Sequence, residues 1–231
     1  MSRTANVVRL QLINRQTYIW IPLIILFGSL LFTIAIYAML VGSGLEGPYF
    51  GGGSQAPLWY FLFVGIQALT FSFPFSQAMS VTRREFYLGT LLTAALTSLI
   101  LAGIFVVGGF IEEATNGWGL DGYFFRLTWV WEDGPAAAGL FYFATAMMFF
   151  VVGFWAATIY KRFGSLWLTV VLVGIGSLFL LGLFVVGYLN AWGAVFTWFA
   201  EQGALSLSLW GILMIAVLAA ISSVTLRRAT P

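Results

Sequence analysis

The chain contains no cysteine and no histidine. Disulfides, thiolate nucleophiles, imidazole-held haem and zinc, and every Ser-His or Cys-His triad are therefore excluded. Charge is nearly as scarce. Only 8% of the 231 residues are Asp, Glu, Lys or Arg, where a soluble chain carries roughly 25%. A fold this poor in charge cannot cover itself with polar surface, so a soluble globular domain is excluded as well. The ten basic residues, for a formal net charge of +2, are too few for the clustered stripe of a nucleic-acid surface, and no nucleic acid is expected as a partner. The one lysine, Lys161, follows Tyr160, whereas a P-loop needs Gly immediately before its Lys. No nucleotide site, catalytic residue, metal site or cofactor is therefore expected in this chain, which does not read as an enzyme.

What the sequence has instead is apolar length. Hydrophobic residues make up 61% of the chain, and a spanning helix needs about 20 of them. Six uninterrupted apolar runs meet that length: Tyr18 to Val41, Leu58 to Val81, Leu88 to Phe110, Ala136 to Tyr160, Leu166 to Leu189 and Leu207 to Leu226. The expected fold is all-α, a single polytopic domain over 1–231 with six transmembrane helices and a short polar segment, 1–17, before the first. That first run is too long for the apolar core of a signal peptide and no cleavage site ends it, so it is expected to be kept as a span.

Sorting charges by loop gives the orientation, because basic residues near span ends stay cytoplasmic. Arg3, Arg9, Arg15, Arg83, Arg84, Lys161, Arg162, Arg227 and Arg228 share one side, and Arg126 alone falls on the other. The acids Glu46, Glu112, Glu113, Asp121, Glu132, Asp133 and Glu201 lie with Arg126, leaving Glu85 beside the basic pairs. Both termini are expected in the cytoplasm.

Among the outer segments, Gly42 to Pro57 reads as a Gly-rich turn region. Ile111 to Pro135 carries Trp118, Tyr123, Phe124, Phe125, Trp129 and Trp131, rings suited to anchoring in the headgroup layer; a substrate-binding role is the less favoured reading. Asn190 to Ser206, with Trp192, Phe196, Trp198 and Phe199, is too short to cross and is expected to form short non-spanning helices before the last span.

An ionisable group inside the membrane marks a functional site, and every Asp, Glu, Lys and Arg here falls in a loop or at a span end. That argues against a proton- or sodium-driven carrier. The second span does hold Gln67, Thr70, Ser72, Ser76 and Gln77 around Pro74. Helix-to-helix hydrogen bonding is the favoured reading, with Gln67, Thr70, Ser72 and Gln77 the candidates for lining a translocation path; Pro74 is expected to kink the helix. In the third span, Gly89, Thr93, Thr97 and Thr90, Ala94, Ser98, Ala102 form one small-residue face, expected to pack within the chain. The last span has a shorter row of Ala216, Ala219, Ala220 and Ser223.

Two cytoplasmic loops could dock a partner: 80–89, with Thr82, Arg83, Arg84, Glu85, Phe86 and Tyr87, and 160–164, with Lys161 and Arg162. The first mixes cations, an acid and two aromatics that could anchor in a partner's groove, although basic pairs at inner span ends are required by orientation in any case. Val81-Thr-Arg-Arg-Glu-Phe-Tyr-Leu-Gly-Thr90 after the second span and Ile159-Tyr-Lys-Arg-Phe-Gly164 after the fourth resemble the corresponding loops of small ABC-2 type transporter permeases, particularly those of high-GC Gram-positive bacteria. The resemblance extends to the polar N-terminal segment, the six spans and the aromatic stretch before the last one.

That resemblance implies a permease subunit of an ATP-driven exporter in a bacterial plasma membrane, extruding an amphipathic or lipid-like compound, drug or peptide. It implies two copies of a separate ATP-binding subunit carrying ATP and Mg, a second copy of this chain or a related permease, and membrane lipid as partners. It also implies that 82–87, with Lys161 and Arg162, couples to the motor, and that the N-terminal segment is a connecting helix. Val7, Val8, Leu10, Leu12 and Ile13 are spread around the helical wheel, which makes that segment only weakly amphipathic. The alternative is a six-span substrate-binding component or small channel with no motor of its own.

Overall fold

The computed structural model describes residues 3–226; Arg227 and Arg228 lie outside them. Six of its helices are long and apolar enough to cross a membrane: α2 (Gln16–Gly42), α3 (Gly52–Ala78), α4 (Arg83–Ala114), α6 (Pro135–Phe163), α7 (Ser165–Tyr188) and α9 (Ala204–Leu226). All six coincide with the apolar runs of the sequence, so length and composition alone set these elements. Three shorter helices accompany them, α1 (Arg3–Ile13), α5 (Thr128–Trp131) and α8 (Trp192–Glu201).

Proline shapes two of the long helices. Pro74 has no N–H for the carbonyl of Thr70 and its ring would collide with it; the helix responds with a π turn over Ala68–Ser72 and then continues to Ala78. Pro22 stands in the same relation to a π turn over Gln16–Trp20. The widened turn relieves the clash without ending either helix.

The centre of the bundle is α6, packed against α3, α4 and α9. Its contact with α3 is backbone on backbone: a Cβ on Gly65 would lie 2.1 Å from the carbonyl oxygen of Phe150, and one on Gly153 would lie 2.0 Å from that of Leu62. Small residues permit such approach, and in a lipid-surrounded bundle the gain is dispersion contact. The small-residue face of α4 is buried throughout, from Gly89 and Thr90 through Thr93, Ala94, Thr97 and Ser98 to Ala102, as expected of packing within the chain. The row on α9 divides: Ala216 and Ala220 are exposed, whereas Ala219 and Ser223 are half-buried.

Helix α1 docks on the start of α4 rather than lying apart from the bundle. Thr4, Val7, Val8 and Gln11 share its inner face at helical spacing, with Val7 against Gly89. The buried Gln11 amide donates to the Thr90 hydroxyl at 2.8 Å. By contrast α7, joined to α6 through Gly164 at φ 84°, has none of its residues buried. On α8 the aromatics Trp192, Phe196, Trp198 and Phe199 are all exposed.

Departing from an all-helical expectation, the segments after α2 and α4 meet in a two-residue parallel β pair, β1 (Tyr49–Phe50) with β2 (Gly122–Tyr123). Three of the six rings expected to anchor in the headgroup layer, Phe124, Phe125 and Trp131, are instead buried, and Trp129 is exposed. Their apolar area packs beneath the segment, where Phe105, Phe125 and Tyr142 form a ring cluster.

Candidate functional site

The bundle has two chemically distinct ends. At one meet α1, the start of α4 and the ends of α3, α6 and α9, tied by Phe73 against Phe86, Arg83 Nη1 donating to the Leu226 carbonyl at 3.4 Å, and the Thr158 and Thr225 hydroxyls 3.0 Å apart. Among the described residues this end holds Arg3, Arg9, Arg15, Arg83, Arg84, Lys161 and Arg162 against the single acid Glu85. At the other lie Arg126 and all the remaining acids.

At the basic end, α4 starts on a capping box. The Thr82 hydroxyl accepts the Glu85 N–H at 3.3 Å, while Glu85 Oε2 accepts the Thr82 N–H at 3.0 Å and its hydroxyl at 2.8 Å. The signal is the T-x-x-E spacing directly ahead of an apolar run, so Glu85 has a local structural task. The two aromatics read as anchors for a partner are turned inward. Phe86 is 0% exposed, and the Tyr87 hydroxyl donates to the Ala219 carbonyl at 2.5 Å and contacts that of Ser222. They hold α4 to α3 and α9, which removes them from any docking surface. Thr82 and Arg84 are exposed, Arg83, Glu85, Lys161 and Arg162 half-buried, and the Arg162 guanidinium stacks on Phe163.

The acidic end contains the feature that the loop assignment missed. Glu112 is 0% exposed and sits in the last turns of α4. Its Oε1 accepts Trp118 Nε1–H at 2.7 Å and the Phe124 N–H at 2.8 Å; its Oε2 accepts the N–H groups of Phe125 and Arg126, both at 2.8 Å. Four donors replace the water lost on burial, as a buried carboxylate requires. The Phe125 carbonyl in turn accepts from Tyr142 Oη at 2.7 Å and Trp131 Nε1 at 3.1 Å, and that of Tyr123 accepts from Tyr37 Oη at 3.0 Å. Arg126 pairs with Glu113 and lies over the Trp131 ring. The segment 117–131 is thus pinned to α2, α4 and α6 as a cap over one end of the bundle.

The polar candidates of α3 do not line the grooves described below. Gln67, Thr70, Ser72 and Gln77 are half-buried. Thr70 donates to the Ile66 carbonyl at 2.9 Å and Gln77 to that of Val81 at 3.0 Å, so both bond within their own segment. The open spaces lie elsewhere. A groove of about 630 Å³ runs between α2 and α4 up to Trp118 and Phe125, and one of about 770 Å³ runs between α4 and α6. Both are apolar, as lipid-facing clefts are. A third, of about 400 Å³, lies at the basic end between α4 and α9 and is lined by Arg83, Arg84, Tyr87, Leu88, Ser223 and Leu226.

Comparison with protein-family models, curated proteins and solved structures gave no match for this chain.

Proposed function

We propose that the chain is the membrane-embedded permease subunit of an ATP-driven transporter, with its basic end in the cytoplasm facing a separate ATP-hydrolysing subunit. The observation that carries the reading is the construction of that end. A helix started by a capping box presents Arg84, the last turn of α6, rather than the loop expected there, presents Lys161 and Arg162, and α1 is docked beside them, so three chain segments form one cationic platform on a rigid bundle. The opposite end is closed by the cap on Glu112, which leaves the platform as the surface on which a soluble motor can act. That α7 has no buried residue supports assembly with a second permease copy across the bilayer. An amphipathic or lipid-like cargo fits the apolar clefts beside α4 better than a polar one would. ATP drives transport here by favouring one facing state of the permease pair over the other.

The platform is tested by Arg84→Gln combined with Lys161→Gln and Arg162→Gln, with motor retention measured at matched membrane levels. Truncating one partner of a hydrogen-bonded charge pair that is buried in an interface costs about 2–5 kcal/mol, so the variant is expected to lose the co-purifying ATPase while inserting normally. Retention equal to wild type would refute the platform's role.

A further inference from the structure

The groove between α4 and α9 at the basic end differs from the two apolar clefts in chemistry. Arg83 reaches across it to the last described carbonyl of α9, and Arg84 stands exposed at its mouth. Tyr87, bonded to Ala219 and close to Ser222, holds the two helices at a fixed spacing and forms its back wall. Below the arginines the surface turns apolar at once: Leu88 is 45% exposed and Leu92, on the same row of α4, is 46% exposed. A guanidinium pair recognises phosphate oxygens by charge and fork geometry, and an exposed leucine row leading away from it accepts hydrocarbon.

We propose that this groove binds an anionic phospholipid, its phosphate between Arg83 and Arg84 and an acyl chain along Leu88 and Leu92. Three features favour a lipid over a soluble anion. The arginines sit where the apolar lengths of α4 and α9 end, at the level of a headgroup. The apolar row is continuous with the polar mouth. The end as a whole carries seven cations against one acid among the described residues, which attracts an anionic leaflet. This binding belongs to the chain alone and does not depend on any motor subunit.

The experiment is native mass spectrometry of the purified chain, without partners, titrated with phosphatidylglycerol, phosphatidylcholine or inorganic phosphate. Phosphatidylglycerol is expected to bind preferentially and to resist displacement by equimolar inorganic phosphate. A basic residue near an anionic surface contributes roughly fivefold in binding, so Arg83→Gln with Arg84→Gln is expected to lower retention roughly twenty-fivefold. Lys161→Gln with Arg162→Gln, at the same end but outside the groove, is expected to leave retention near wild type. Ser223→Phe fills the groove from α9 without changing charge and is expected to lower retention as well, which separates loss of the site from loss of charge. Equal losses in the two double variants, equal binding of the two lipids, or displacement by inorganic phosphate would each overturn the proposal.

Discussion

Replacing Glu112 by Gln changes one atom of the side chain and tests whether the cap is held by charge and geometry together. The carboxylate divides four N–H donors between two oxygens. An amide offers one oxygen and one NH2, so in either orientation two of the four donors face another donor. Each buried donor left unsatisfied costs about 1–3 kcal/mol, which puts Glu112→Gln at about 2–6 kcal/mol for holding 117–131 in place. Cap opening should then rise by a factor of about 30 to about 25,000, and where opening is fast, proteolysis follows the open population. Arg126, whose N–H is one of the four donors, supplies a trypsin site within the cap. Cleavage after Arg126, located by mass, is expected to be slow in wild type and faster by at least about thirtyfold in Glu112→Gln. Glu113→Gln, which breaks only the exposed pair with Arg126, should change it little, since such pairs contribute about 1 kcal/mol or less. Equal cleavage rates for wild type and Glu112→Gln would refute the reasoning.

The contact of α3 with α6 gives a second prediction: Gly153→Ala or Gly65→Ala forces the backbones apart and should cost about 1–3 kcal/mol or more by overpacking, seen as a lower melting temperature in detergent, whereas Gly103→Ala, which meets nothing within 4 Å, should not. At the basic end, Thr82→Ala should cost about 1 kcal/mol through loss of the cap, and Phe86→Ala about 3–5 kcal/mol because it empties a core position; a Phe86→Ala protein as stable as wild type would contradict its burial. The orientation is checked by single cysteines in a chain that has none of its own: at Gln55 and Thr128 they should react with a membrane-impermeant thiol reagent in intact cells, and at Asn14 and Ser165 they should not. All four positions are exposed.

The six long helices were legible because a span is a one-dimensional property: enough apolar residues in a row, whatever they pack against. Packing partners are not legible in that way. Phe86 and Tyr87 stand beside two arginines and read as loop residues, yet the T-x-x-E signal at Thr82 already moves the helix start ahead of them and turns Phe86 onto the inner face. Glu112 was hidden by ending the third span at Phe110. Continuing the buried row of Ser98, Leu101, Phe105 and Gly108 by one further step of four reaches Glu112, on the face that packs. What supplies its four donors, a segment 6 to 14 residues later with left-handed turns at Asn116 and Trp118, carries no periodic signal. The inner face of α1 was obscured by Gln11, a polar residue buried through one bond to Thr90. The π turns follow from Pro22 and Pro74, and at Pro74 a kink was the coarser expectation for the same clash.

The central claim, a permease worked by a separate ATPase, is tested most directly by purifying the chain in mild detergent from cells that make its native partners and identifying by mass what accompanies it. The account predicts an ATP-hydrolysing subunit in stoichiometric amount, bound through the end that carries Arg84, Lys161 and Arg162. A stable preparation of the chain with no ATPase, and with a small molecule bound in the clefts beside α4, would contradict it.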